Sequence, residues 1–179
     1  HPENGFYLNE FEKLSETLKK LETRKQPAIL IGVTFGLLDF FERHEIQLRN
    51  TIVMETGGMK GRREEWTRKE VHDFIKSKTG LKQIHSEYGM TELLSQAYSK
   101  GGGIFQCPAW MKILVRDEDD PLTVKPAGRG VINVIDLANI YSCSFIATDD
   151  ACTLQEDGSF EVIGRVDNSD IRGCSLMVV

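Results

Sequence analysis

The sequence lacks a long apolar run. No stretch approaches the roughly 20 residues that span a bilayer, which excludes a transmembrane helix. The opening His1-Pro2-Glu3-Asn4-Gly5 does not read as a signal peptide, having neither its basic nor its apolar region. There is no initiator methionine, which fits a piece of a longer polypeptide. Cysteine is scarce: Cys107, Cys143, Cys152 and Cys174 form no C-x-x-C pair, and no histidine stands at zinc-finger spacing from them. A metal site built on them is not expected, and reduced thiols in a cytoplasmic protein are. A cationic excess is absent as well: 22 Lys and Arg face 27 Asp and Glu, a net charge of −5. That argues against nonspecific nucleic-acid binding. The local cluster Lys60, Arg62, Arg63, Arg68 and Lys69 is interrupted by Glu64, Glu65 and Glu70 and reads as a solvated face. No internal repeat, low-complexity tract or long linker occurs.

What is present has the balance of a globular chain. Its 179 residues are 40% apolar and 27% charged, enough for one sizeable domain or two small lobes. Asn9-x-x-Glu12 has the form of a capping box, and Phe11, Leu14, Leu18 and Leu21 recur at helical spacing up to a stop at Pro27. The apolar run 28–33 suits a strand buried on both faces. A helix over 37–49 and a strand over 51–55, closed by Gly57-Gly58, are expected next. Thr67-x-x-Glu70 opens another helix that buries Val71, Phe74 and Ile75 and is capped by Gly80. A strand over 83–86 then leads into Tyr88-Gly89, with a helical run from Met90. This alternation predicts an α/β fold, a mostly parallel sheet flanked by helices over 1–103. Ligands are expected beyond the carboxyl ends of its strands, where Thr56-Gly57-Gly58 and Tyr88-Gly89 fall. A smaller β-rich lobe is expected over 104–179. Its strand candidates are 111–115, 130–137, 144–148 and 160–163, with a hairpin turn at Asp157-Gly158.

Four segments carry the chemistry. Glu55-Thr56-Gly57-Gly58 is a glycine turn after a strand, and Tyr88-Gly89-Met90-Thr91-Glu92 offers a ring, a hydroxyl and a carboxylate around a tight turn. Thr148-Asp149-Asp150 and Gly164-Arg165-Val166-Asp167, continued by Arg172-Gly173, follow in order. An ATP site needs a flat surface for the base, a donor for phosphate and an anionic ligand for magnesium.

Together these segments resemble the adenylate-forming enzymes: acyl-CoA synthetases, adenylation domains and luciferase-type ligases. The Pro27–Phe35 stretch, the Trp110 region and the ending Arg172-Gly173-Cys174-Ser175-Leu176-Met177 resemble, within that superfamily, the acyl-protein synthetases of bacterial bioluminescence fatty-acid reductase systems. The resemblance covers most of this chain and about the second half of a complete member. It implies part of an adenylate-forming N-terminal domain. The implied reaction activates a long-chain fatty or other carboxylic acid with ATP and magnesium, gives acyl-AMP, and transfers the acyl group to a protein cysteine thiol on a partner reductase. By the resemblance, Gly57 and Gly58 let the backbone approach adenine, and Tyr88, beside Gly89, stacks on the base. Thr91 bonds the α-phosphate, Glu92 holds magnesium, Asp150 and Arg165 take the ribose hydroxyls, Asp167 marks a hinge, and Cys174 carries the acyl group.

Plainer readings stand beside these. Tyr88 is a half-buried aromatic, Thr91-Glu92 a helix cap, Asp149 and Asp150 loop aspartates, Arg165 a surface ion-pair partner, and Cys174 a small core residue. His85 reads as a structural histidine, and His44 and His72 as helix-surface residues. Asp149 stands where the family has the glycine of T-G-D, and the family's Ser/Thr/Gly-rich phosphate loop is not in the chain. The expectation is that this piece alone does not make acyl-AMP. A phenylacetate-type CoA ligase and a noncatalytic nucleotide-binding module are the alternatives.

Overall fold

The structure, a computed structural model, describes residues 1–57 and 66–166. By contacts the chain divides into two compact units, residues 1–86 with 100–102, and residues 87–99 with 103 onward. The segment 87–99 groups with the second unit.

In the first unit, helix α1 (Phe11–Thr23) buries Leu14, Leu18 and Leu21 along one stripe. Its expected capping box is not made: Glu10 is the N-cap, and no side chain caps the helix. The helix ends at Thr23, before Pro27, with Lys25 at φ +52° turning the chain out. Strand β1 (Ala28–Val33) pairs in parallel with β2 (Thr51–Thr56), from Ala28 opposite Thr51 to Val33 opposite Thr56. Burial on both faces is corrected by the exposure of Ile29, Ile31 and Ile52, which leaves one face of this pair open among the described residues.

Helix α2 (Thr34–Arg43) is shorter than the pattern predicts. Ile46 and Leu48 are buried alternately with exposed neighbours, and their amides donate to the carbonyls of Lys78 and Thr79. Those are carbonyls left without an intrahelical partner at the end of α3 (Arg68–Thr79), so residues 45–48 run extended to satisfy them. Helix α3 has the expected capping box, with Glu70 reaching back to the Thr67 amide at 2.7 Å, and ends on Gly80 at φ +71°. The core of this unit gathers Leu18, Leu38, Phe40, Phe41, Val53, Ile75 and Ile84.

Strand β3 (His85–Tyr88) and β4 (Ala97–Ser99) complete a four-stranded sheet in the order β1-β2-β3-β4. The helix expected after Met90 is a turn instead. The Leu94 and Ser95 amides, which a helix would need, both donate to the Asp136 carboxylate at 2.9 Å.

The second unit is built on a six-stranded sheet. Its strands are β5 (Ile104–Phe105), β6 (Met111–Arg116), β7 (Val124–Lys125), β8 (Gly128–Asp136), β9 (Phe145–Leu154) and β10 (Phe160–Arg165), in the order β5-β10-β9-β8-β6-β7. The pairings of β6, β8, β9 and β10 are all antiparallel. The β9–β10 hairpin turns at Asp157-Gly158 as predicted, with Gly158 at φ +82°. Between β8 and β9 the register jumps: Val131 faces Ala151, but Asn133 faces Ala147. Thr148, Asp149 and Asp150 therefore stand opposite the single residue Ile132, a special β-bulge of three residues against one. The core here includes Tyr88, Phe105, Met111, Ile113, Ile132, Val134, Cys152, Leu154 and Phe160. The molecule is thus an α/β fold whose parallel strands and helices come first and whose antiparallel strands follow.

Candidate functional site

Tyr88 closes β3, and Asp150 sits in the bulge of β9. The Tyr88 hydroxyl donates to Asp150 Oδ2 at 2.8 Å. Asp150 Oδ1 lies 3.5 Å from Arg165 Nε, and Arg165 Nη2 lies 3.7 Å from Asp149 Oδ2. The ladder explains the second meeting, because Asp150 and Arg165 are direct partners across β9 and β10. The Thr148 hydroxyl accepts from the Asp150 amide at 3.1 Å and donates to the Ile132 carbonyl at 3.0 Å. The structure thus brings Tyr88, Asp150 and Arg165 together, residues spread over 77 positions of sequence (88 to 165).

The Tyr88 ring takes a different position from an open stacking platform. It is 8% exposed and meets Phe105 and Phe160 edge-on at centroid distances of 6.1 and 5.5 Å. Burial, and then the Asp150 charge, push its phenol well above the ordinary tyrosine pKa, so the hydroxyl stays a donor. In this state the ring offers little face to a base, and its polar end instead orients Asp150.

Thr91 and Glu92 are exposed in the turn after Gly89, which Leu93 closes by donating to the Met90 carbonyl at 3.1 Å. Two residues that the sequence reading passed over hold this turn. Asn139 donates to the Glu92 carbonyl at 2.8 Å, and buried Asp136 accepts from the Leu94 and Ser95 amides, the Ser95 hydroxyl and the Ala138 amide. Burial opposes the Asp136 charge, yet these donors keep its carboxyl below the usual range. An aspartate ending an apolar strand carries no pattern that would point to this part.

In the first unit, Gly57 follows β2 with φ +73° and is exposed. Its carbonyl accepts from the Thr34 hydroxyl at 3.2 Å, and the same hydroxyl donates to Glu55 Oε2 at 2.9 Å. Glu55 is itself buried, with His72 Nε2 at 3.6 Å and Arg68 Nε at 3.5 Å from Oε1. The Ser86 hydroxyl lies 3.2 Å from His72 Nε2. Ser86 and Glu55 approach the same imidazole nitrogen and all three groups are buried, so this is a structural knot and not a nucleophilic triad. His72 therefore faces the interior, which corrects its reading as a helix-surface residue. His85 is half-buried, and burial with the nearby Lys100 charge lowers its pKa.

Gly58, Asp167 and Cys174 lie outside the described residues. Among the described cysteines, burial pushes the Cys107 thiol up to about 11. Burial and the Asp150 charge push Cys152 to about 12. Neither is a thiolate near neutrality. Cys143 is exposed and donates to the Phe145 carbonyl at 3.3 Å. No group of three or more acidic, histidine or cysteine side chains gathers for a metal ion among the described residues. Magnesium held mainly by a nucleotide's phosphates needs only one or two carboxylates, and the exposed Glu92 is of that kind. A cleft of about 500 Å³ between Gln106, Lys112, Pro126 and Asp157 contains none of the predicted site residues. No described helix is long and apolar enough to cross a membrane.

Comparison with protein-family models gives no match, and neither does comparison with curated proteins. Solved structures do match. The R395G form of coronafacic acid ligase from Pectobacterium brasiliense aligns with 92% of this chain and 34% of its own, at 18% identity and a TM-score of 0.64. ATP-bound MatB from Rhodopseudomonas palustris aligns over 84% and 33%, at 17% identity and a TM-score of 0.60. O-succinylbenzoate coenzyme A synthetase from Bacillus subtilis, in complex with ATP and magnesium, aligns over 90% and 36%, at 17% identity and a TM-score of 0.56. The chain therefore spans about a third of the length of the structures it matches. At these identities the likeness is one of architecture alone: the chain shares the fold of about a third of each of these proteins.

Proposed function

We propose that the protein is an AMP-forming acid–thiol ligase. It activates a carboxylic acid, a long-chain fatty acid first among them, at the expense of ATP, and passes the acyl group to a protein cysteine. The observation that carries this reading is the convergence of Tyr88, Asp150 and Arg165 on a fold shared with ATP-bearing ligases. Asp150, with one oxygen held by Tyr88 and the other turned to an exposed arginine, is a carboxylate oriented to accept from ribose hydroxyls. Arg165 grips beside it. The Thr91 hydroxyl donates to the α-phosphate, and Glu92 holds magnesium, which would offset charge on the phosphates.

A carboxylate oxygen attacks the α-phosphorus, and the bond to the pyrophosphate oxygen breaks, giving a mixed anhydride. A thiolate then attacks the acyl carbon, and AMP leaves with the bonding pair. Cys174 is the proposed internal carrier, and a thiol on a partner reductase the onward acceptor.

ATP–pyrophosphate exchange by the complete gene product, across a series of carboxylic acids, tests the first step. Exchange with fatty acids is expected. No exchange with any acid, from a folded protein, would leave a noncatalytic nucleotide-binding module. For the second step, labelled acid and ATP should label the protein, and Cys174→Ser should abolish that label. Label released on free coenzyme A would instead make the protein a phenylacetate-type ligase.

A further inference from the structure

Three residues opposite one leave a hole in the β8–β9 ladder, and its main-chain groups need other partners. Arg116, the last residue of β6, supplies them from one strand further away. Its Nη2 donates to the Thr148 carbonyl at 2.6 Å, and its Nη1 donates to the Ile132 carbonyl at 3.1 Å and to Asn133 Oδ1 at 2.9 Å. The planar guanidinium thus joins both lips of the bulge, β8 at Ile132 and β9 at Thr148. The side chain is half-buried, so these charged hydrogen bonds are partly shielded from water. Its base is fixed as well. Gly130 lets β8 close upon the Arg116 main chain, where a β-carbon would run into the Arg116 carbonyl.

Asp150 is the next residue but one after the clamped Thr148 carbonyl, and its amide already hangs on the Thr148 hydroxyl. Without the fork, the Thr148 and Ile132 carbonyls and Asn133 Oδ1 each lose a donor at once, the Ile132 carbonyl keeping only the Thr148 hydroxyl, and the extruded segment is free to settle elsewhere. We propose that Arg116 is a positioning residue that clamps the Thr148–Asp150 bulge open and so sets the Asp150 carboxylate where a ribose can meet it. The inference rests on the nucleotide reading of Asp150 and adds to it a residue outside the four sequence segments.

The test uses Arg116→Met, which keeps length without donors, and Arg116→Lys, which keeps charge without the fork. Two readouts apply to each. Amide hydrogen exchange reports the bulge without any nucleotide, and calorimetry compares AMP with 2′,3′-dideoxy-AMP. R116M is expected to speed exchange across 146–152 by about tenfold or more while 71–79 in α3 stays unchanged. It is expected to reduce the wild-type preference for AMP over the dideoxy form towards unity, with R116K between. A general loss of stability would weaken both nucleotides alike and would speed exchange in α3 too; that pattern overturns the clamp. A wild-type preference that R116M fully retains also overturns it while leaving the nucleotide reading intact. Wild-type protein that binds AMP with no preference over the dideoxy form removes Asp150 from ribose binding, and with it the positioning role.

Discussion

Tyr88 combines an apolar duty with a polar one. Its ring belongs to an aromatic cluster with Phe105 and Phe160, and its hydroxyl is the donor that fixes Asp150. Tyr88→Phe separates the two. The ring contacts survive, and the loss is a hydrogen bond to a charged group, worth roughly 1.5–3 kcal/mol. An unfolding free energy lower by that amount, read as a lower urea midpoint at unchanged m, is expected together with weaker AMP binding; an unchanged midpoint would show that the carboxylate finds water instead. Glu55 gives a pH signature. Burial raises its pKa, but hydrogen bonds from His72 and Ser86, the Arg68 charge and the Thr34 hydroxyl bring it below the ordinary 4.5. A depressed carboxyl contributes stability that is fully present above about 4.5 and is lost as the pH falls through the folded value. Glu22 and Asp136 are depressed too and share that acid limb. Glu55→Gln is therefore expected to be less stable at pH 7 and to lose less stability between pH 5 and 3 than the wild type. Parallel curves would contradict the assignment.

Helix α3 was legible end to end, because both of its signals are local. Thr67 and Glu70 cap each other within one turn, and Gly80 takes a backbone conformation other residues resist. Thr67→Ala is expected to cost about 1 kcal/mol. Gly80→Ala is expected to cost about 1–2 kcal/mol from φ alone, and more because its methyl would meet the Gln47 amide. Thermal midpoints of the two variants should fall in that order. The β9–β10 hairpin was legible for a like reason, Asp157-Gly158 being a turn that needs no distant partner. The missing helix after Met90 was not. Its amides are taken by Asp136, more than forty residues on, and no window of local sequence contains that competitor. The same distance hid Arg116, whose partners are main-chain carbonyls and leave no mark on side-chain pattern. Helix α2 stopped early because Ile46 and Leu48 alternate, a period of two embedded in what scans as a longer amphipathic run. In the candidate site, residue types and order were readable, whereas the inward turn of the Tyr88 ring follows from neighbours that only the folded chain assembles.

At the scale of the whole chain, composition sets solution behaviour. With a net charge of −5 and an isoelectric point near 5.4, the protein should show no salt-sensitive retention on immobilised DNA at about 0.15 M salt. Retention would mean that the basic residues between 60 and 69 act as a patch. The bulge of β9 also bears on how much change in length the molecule accepts. Its excess over a regular ladder is two residues, an even number, so Thr148, Cys152 and Leu154 all keep their inward side. Removing Asp149 and Asp150 would leave every later side chain on its present face and the hydrophobic interior whole, costing only the carboxylates. Removing one would turn Cys152 and Leu154 out to solvent. Shortening by a pair should thus yield a folded chain unable to grip a ribose, whereas shortening by one should yield no folded chain at all.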